Sequence, residues 1–371
     1  MAKIRVLVVD DSVVMRRMVS DVINSDPALE VVGIAPNGRL AVDRVKQLNP
    51  DAVTMDVEMP EMDGVQAVKE LRKLNRRLPI VMFSSLTERS AATTIDALAA
   101  GASDYVAKPA NLGSATASIA RVREELIPKI KTLCGLVNFN SELRSGNSEP
   151  SQNLTAKVRS LRARMVCQPI SIVTIGVSIG GPYALAELIP AISADFPVPI
   201  VIVQHMPPVF TRLLADRLNA NSAIAVREAV AGEELRPGAG WIAQGDYHLV
   251  LEKIGTKTRL KLTRDPPENS CRPAVDPLFR SAVQVYGRSV LAVVLTGMGQ
   301  DGLKGCEHVA AAGGQILVQD EASSVVWGMP GFVARAGLAD RVLPLSQIAG
   351  EIMRLSWLGR AKPGAFVGNA G

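Results

Sequence analysis

A serine within Gly176-Val177-Ser178-Ile179-Gly180-Gly181 has the neighbours that nucleophilic chemistry asks for. It follows a β-branched apolar run, Ile170 to Ile175, and precedes a helix-like stretch from Pro182 onward. Small residues at a strand-to-helix corner allow a sharp turn that lifts a hydroxyl out of the fold beside backbone N–H groups. The glycine pattern alone also fits a plain tight turn or a phosphate-binding helix start, so the partners decide. Only three histidines exist. His205 ends the run Ile200 to Gln204 much as Ser178 follows Ile175, which puts both at the carboxyl edge of one parallel sheet. His248 lies in an alternating polar–apolar stretch and His308 in an apolar-rich helical one, so both read as packing or surface residues.

A carboxylate must hold the imidazole's tautomer and stabilise its cation. Asp301, in Thr296-Gly297-Met298-Gly299-Gln300-Asp301-Gly302 after the apolar run Ser289 to Leu295, reaches the same edge. Asp276 and Asp246 compete with it, although neither directly follows a fully apolar strand. Backbone amides near Ile179, or in the Gly297–Gly299 turn that holds Met298, are the expected oxyanion donors.

A second constellation sits upstream. Asp10 and Asp11, Asp56, Ser84, and Lys108 before Pro109 each follow or end a different short apolar run, the two acids sharing one. Converging carboxylates repel unless a hard cation lies among them, and Mg²⁺ suits an all-oxygen set. Asp56 is then the acceptor of a phosphoryl group as an aspartyl phosphate, with Lys108 as a point positive charge. A single surface Asp means little; five suitable positions at the ends of successive strands point to a phosphoacceptor pocket.

The elements that must position these groups are legible as two α/β domains. Over 1–135, strands Ile4 to Val9, Val31 to Ala35, Ala52 to Met55, Ile80 to Phe83 and Asp104 to Ala107 recur about every 25 residues. Helical spacing such as Val14, Met15, Met18, Val19, Val22 and Ile23 separates them, which predicts a doubly wound five-stranded parallel sheet. Residues 136–168 read as a flexible linker, poor in apolar residues at its start and carrying five basic against two acidic side chains between Asn138 and Gln168. From 169 to 358 a second alternation predicts a mostly parallel sheet with strands Ile170 to Ile175, Ile200 to Gln204, Ser289 to Leu295 and Gln315 to Gln319. The stretch Trp241 to Arg264 alternates polar and apolar residues around Gly-containing turns, which predicts a β-hairpin. The Gly/Ala-rich tail, 359–371, is expected to fray.

The 371 residues suffice for two cores, with 47% apolar and 21% charged side chains typical of a globular chain. No apolar stretch approaches a membrane span, and no leader precedes the first strand. Four scattered cysteines without a CxxC pair point to a reducing, cytoplasmic setting. The net charge of +5 owes +3 to the linker, which argues for a solvated tether over a nucleic-acid arm.

Residues 3 to about 130 resemble a response-regulator receiver: paired acids Asp10 and Asp11, acceptor Asp56, switch hydroxyl Ser84, aromatic Tyr105, and Lys108. From 170 to about 355 the chain resembles the catalytic domain of chemotaxis-type protein-glutamate methylesterases. It has their GxSxGG serine, Gln204-His205-Met206-Pro207-Pro208, Arg272-Pro273-x-Val275-Asp276, the Thr296–Gly302 loop, and Glu321-Ala-Ser…Gly-Met-Pro330, in order. The resemblance implies a catalytic Ser178, His205 and Asp301, site support from Ile179 and Met298, and no cofactor for ester hydrolysis. It implies methylated chemoreceptors as substrate, methanol as product, glutamine deamidation as a second activity, and a chemotaxis histidine kinase as phosphodonor. Such an enzyme is cytoplasmic and acts at membrane-bound receptors without inserting. Its receiver covers the Ser178 edge until Asp56 is phosphorylated. Two departures stand out: Ile179 where the family commonly has Thr, and Cys271 where it usually reads His-Arg-Pro. A DNA-binding output and a non-catalytic scaffold are the rival readings; no helix-turn-helix or basic recognition helix supports the first.

Overall fold

The structure, a computed structural model, describes residues 2–85, 87–109, 115–136 and 169–360. The chain divides into two compact units, Met1–Ser145 and Gly146–Gly371. Apart from Leu136, the expected linker lies outside the described residues.

In the first unit, β1 (Ile4–Val9), β2 (Leu29–Ala35), β3 (Ala52–Asp56), β4 (Ile80–Ser84) and β5 (Asp104–Ala107) form a parallel sheet in the order β2-β1-β3-β4-β5. β3 and β4 are buried at every position, as strands covered by helices on both faces must be. Among the described residues, helices α1 (Val13–Asn24), α2 (Gly38–Leu48), α3 (Gly64–Leu74), α4 (Glu88–Ala99) and α5 (Ala115–Leu133) connect and cover the sheet. Ser12, Asn37, Asp63 and Thr87 each accept a backbone N–H as N-cap, so the first four helices start at defined residues. Strand order reverses between β1 and β3, the crevice where doubly wound sheets bind ligands. The helical spacing read from the sequence falls in α1, although Val14 itself is 71% exposed. It sits in the first turn of α1, where the face that packs on the sheet is only reached from Met15 and Met18 to Val19, Val22 and Ile23.

In the second unit seven parallel strands run in the order β14-β13-β12-β6-β7-β9-β8. They are β6 (Ile172–Val177), β7 (Ile200–Gln204), β8 (Ala225–Glu228), β9 (Ala239–Ile242), β12 (Val290–Val294), β13 (Gln315–Gln319) and β14 (Arg341–Leu343). A separate antiparallel hairpin pairs β10 (His248–Ile254) with β11 (Lys257–Thr263). Among the described residues its helices are α6 (Gly181–Leu188), α7 (Phe210–Asn221), α8 (Val275–Tyr286), α9 (Leu303–Ala312), α10 (Met329–Arg335) and α11 (Leu345–Trp357). The expected hairpin begins too early. Trp241 belongs to β9, fully buried and paired parallel with β7 and β8. Its neighbours Gly240 and Ala239 are too small to disclose a strand by alternation, and Trp241-Ile242 is an apolar pair rather than an alternating one. The first strand of this unit starts two residues later than expected and runs to Val177, directly before Ser178. At the far end, Arg360 belongs to the folded unit: Nη2 donates to Ile170 O at 2.6 Å. Residues 361–371 lie outside the described residues.

Candidate active site

β7, β6 and β12 are adjacent, with Val177 in register with Gln204 and Gly176 with Val294. Their carboxyl ends therefore deliver Ser178, His205 and the Thr296–Gly302 loop side by side. The order reverses at β6, so this edge is the topological switch point of the sheet. The ladders continue past the strand ends: His205 N donates to Val177 O at 3.2 Å and Ser178 N to Thr296 O at 3.0 Å. The corner after Ser178 needs glycine twice over. Gly180 has φ +77°, and a Cβ on Gly297 would sit 2.8 Å from that of Ser178, so the Gly297-Met298 backbone lies against the serine.

His205 Nε2 lies 2.8 Å from Asp301 Oδ2. Asp301 is 2% exposed and otherwise held by main chain: Oδ2 accepts Val275 N at 2.6 Å, and Oδ1 accepts Asp276 N and Gly302 N at 3.1 and 3.0 Å. Asn269 Nδ2 donates to Oδ1 at 3.0 Å as well. Burial alone would raise this carboxyl, yet the His205 bond and the amide donors win and keep it below the ordinary Asp range. Burial likewise opposes a charged His205, but hydrogen bonds to Asp301 and Cys271 outweigh it and push the imidazole up to about 10. Cys271 Sγ is 3.6 Å from His205 Nδ1, the nitrogen that Asp301 leaves unused. Ser178 is half-buried, and no hydrogen bond joins its Oγ to His205 among the described residues.

The competing acids go elsewhere. Asp276 Oδ1 accepts Gly302 N and Gly305 N at 3.0 and 2.6 Å, and Oδ2 accepts Asn269 Nδ2 at 3.0 Å. Its carboxyl is raised by burial and by the neighbouring Asp301. Asp246 is ion-paired to Arg272 at 2.7 Å. His248 is buried, bonded to Pro266 O and Ala274 N, while His308 Nδ1 caps Lys304 O on α9. Two further residues shape the site. Gln204 Nε2 donates to Ser178 O at 3.0 Å and sits 3.3 Å from His205 O, tying the two strand ends together. A glutamine closing a wholly apolar strand is the signal that marks it. Asn269, which bridges Asp276 and Asp301, sits in the polar loop Glu268–Ser270 and has no such mark.

In the first unit, Asp10 and Lys108 follow β1 and β5, and Asp56 and Ser84 end β3 and β4. Lys108 Nζ lies 3.0 Å from Asp10 Oδ2 and 2.8 Å from Asp56 Oδ1. Carboxylate oxygens of Asp10, Asp11 and Asp56 fall within 4.8 Å of one another, a hard-oxygen set that fits a divalent cation. Burial raises the Asp56 carboxyl to about 6 although Lys108 counteracts it. Ser84 Oγ accepts Thr94 Oγ1 at 2.6 Å, and Tyr105 is buried beneath Lys129, whose Nζ is 5.3 Å from the ring centre. The structure thus gathers Asp10, Asp11, Asp56 and Lys108 into one pocket, with Ser84 and Tyr105 on the adjacent strands β4 and β5.

A carboxylate pocket with a lysine on one doubly wound unit, and a serine, a histidine and a buried carboxylate at the sheet edge of another, fit a response regulator with a hydrolase output. The response regulator receiver domain model matches residues 6–120, and the CheB methylesterase model matches residues 173–352. A protein-glutamate methylesterase/protein-glutamine glutaminase of Trichodesmium erythraeum (strain IMS101) is 49% identical over 354 residues, covering 95% of this chain and 99% of that one. One from Nocardioides sp. (strain ATCC BAA-499 / JS614) is 51% identical over 367 residues, 98% of each chain. The crystal structure of the Thermotoga maritima CheB methylesterase catalytic domain is 44% identical, with a TM-score of 0.50 over 51% of this chain and all of that one. The chain belongs to the CheB family, the receiver-bearing protein-glutamate methylesterases/protein-glutamine glutaminases, and is an enzyme of that class. The methylesterase match replaces the DNA-binding alternative for the output half. No helix among the described residues is long and apolar enough to cross a membrane.

Proposed function

We propose that Ser178, His205 and Asp301 hydrolyse glutamate γ-methyl esters on chemoreceptors through an acyl-enzyme, and that phosphorylation of Asp56 raises the rate. The pairing of His205 Nε2 with the deeply held Asp301 at the edge that bears Ser178 carries this reading. Asp301 fixes the tautomer, so Nδ1 is the nitrogen that accepts the Ser178 proton as Oγ attacks the ester carbonyl. The amides of Ile179 and Met298 stabilise the oxyanion; this needs only backbone, so Ile179 suffices where relatives carry a hydroxyl side chain. His205 returns the proton to the departing methanol, then activates the water that releases the glutamate carboxylate. Glutamine deamidation follows the same path with ammonia as leaving group.

In the receiver, Asp10, Asp11 and Asp56 would hold the Mg²⁺ that neutralises phosphoryl oxygens during transfer. Asp56 is the acceptor, Lys108 supports the phosphate, and Ser84 and Tyr105 carry the switch. A chemotaxis histidine kinase is the phosphodonor, and the enzyme works in the cytoplasm at receptor helices. The domains serve as receiver (1–135), linker (136–168) and esterase (169–358). Labelling with a fluorophosphonate tests the nucleophile: one adduct, at Ser178, is expected in the wild type and none in His205→Ala. An adduct at another serine, or equal labelling without His205, contradicts the assignment.

A further inference from the structure

His205 has two ring nitrogens, and Asp301 occupies Nε2. Whatever meets Nδ1 therefore meets the nitrogen that serves Ser178. That neighbour is Cys271, 3.6 Å away, at a distance a thiol–imidazole hydrogen bond spans. A tight turn brings it there. Glu268 and Cys271 exchange backbone hydrogen bonds, Cys271 N to Glu268 O at 2.9 Å and Glu268 N to Cys271 O at 3.1 Å. The two residues between them, Asn269 and Ser270, both have left-handed φ, +51° and +62°. Asn269 then bonds Asp301 through its side chain, so the turn that carries Cys271 is anchored to the same carboxylate that orients His205. Arg280 braces the turn from α8 through both Glu268 oxygens. Asp301 and the turn, joined through Asn269, thus contact the imidazole at both nitrogens.

We propose that Cys271 is a positioning residue for His205, its thiol holding Nδ1 in the resting enzyme and yielding that nitrogen to Ser178 Oγ when the ester binds. The proposal rests on the esterase reading above. The titratable groups facing His205 are Asp301 and Cys271, with Asp276 behind Asp301. Asp301 keeps the proton on Nε2, so the Cys271 S–H donates to the Nδ1 lone pair, and removing the thiol frees the ring to turn.

The test is methanol release from methylated receptor membranes, measured as kcat and KM across pH for the full chain, Cys271→Ala and Cys271→Ser. In Cys271→Ala the plateau kcat falls roughly five- to tenfold as the ring loses its hold, while KM stays within about twofold. Cys271→Ser recovers most of the plateau. An unmoved plateau in Cys271→Ala, or a change in KM alone, overturns the proposal. Should Cys271→Ala not fold, wild-type enzyme treated with iodoacetamide decides. The sulfur–carbon bond forms, iodide leaves and the thiol proton passes to water. Methanol release then falls in step with carbamidomethylation of Cys271, read by mass spectrometry; full modification with retained activity, or a Cys271 that resists the reagent in the folded enzyme, refutes it. Ser178→Ala, carried in parallel, separates the two readings. Methanol release that survives in it defeats the nucleophile assignment alone, whereas the Cys271 outcomes concern only the hold on His205.

Discussion

At the scale of single residues, the feature that governs this site is how firmly Asp301 is held. Five donors converge on one buried carboxylate: His205, the Asn269 side chain, and the amides of Val275, Asp276 and Gly302. A carboxylate so bonded stays ionised and, on the proposed mechanism, dictates the tautomer that leaves Nδ1 as base. Asp301→Asn keeps the shape and loses the tautomer control. It is expected to lower kcat for methanol release by about 10³- to 10⁴-fold with little change in KM; a loss under tenfold would show that Asp301 is not the orienting acid. The sequence makes Ser178, His205 and Asp301 legible because each closes or follows an apolar strand, and strand ends in parallel sheets converge. Asn269 and the placement of Cys271 at Nδ1 are not legible that way. Both come from a turn between the hairpin and α8, and only the folded chain brings that turn, 30 residues away in sequence, to Asp301.

At the scale of elements, a strand is legible in so far as its packing writes a pattern. β1, β5, β7 and β13 match their expected bounds, each being largely buried. β8 and β14 lie at the sheet edges, only four and three residues long; apart from buried Val226 their side chains are half-exposed or exposed, and no continuous apolar run announces them. β14 is secured from outside instead. Glu351 of α11 accepts Arg354 Nε at 2.7 Å and Arg341 Nη1 of β14 at 2.8 Å, bonds that hold its carboxyl down at about 2. Glu351→Gln is expected to cost about 1–2 kcal/mol at pH 7, measured by denaturant unfolding. The folded pKa lies below the ordinary 4.5, so the carboxylate's contribution is complete above about pH 4.5 and is lost as pH falls through 2. The gap between wild type and variant therefore closes on acidification; a gap that persists at pH 2 would mean that Glu351 acts by shape and not by charge.

At the scale of the whole molecule, two sites on two units are joined in one chain, and coupling between them is a free energy that each site can report. A small phosphodonor with Mg²⁺ is expected to raise methanol release by the wild type several-fold, the size typical of such coupling. Asp56→Asn is expected to lose this stimulation, and EDTA to remove it while leaving the basal rate, because the proposed ester hydrolysis uses no metal. Stimulation that survives EDTA or Asp56→Asn would place the switch outside the pocket of Asp10, Asp11, Asp56 and Lys108. The most direct check on the whole account is methanol release from methylated chemoreceptor membranes by the wild type and by Ser178→Ala, with phosphoryl uptake followed in the same samples. The wild type should release methanol, and Ser178→Ala should release none while Asp56 is still phosphorylated; methanol release by Ser178→Ala would contradict it.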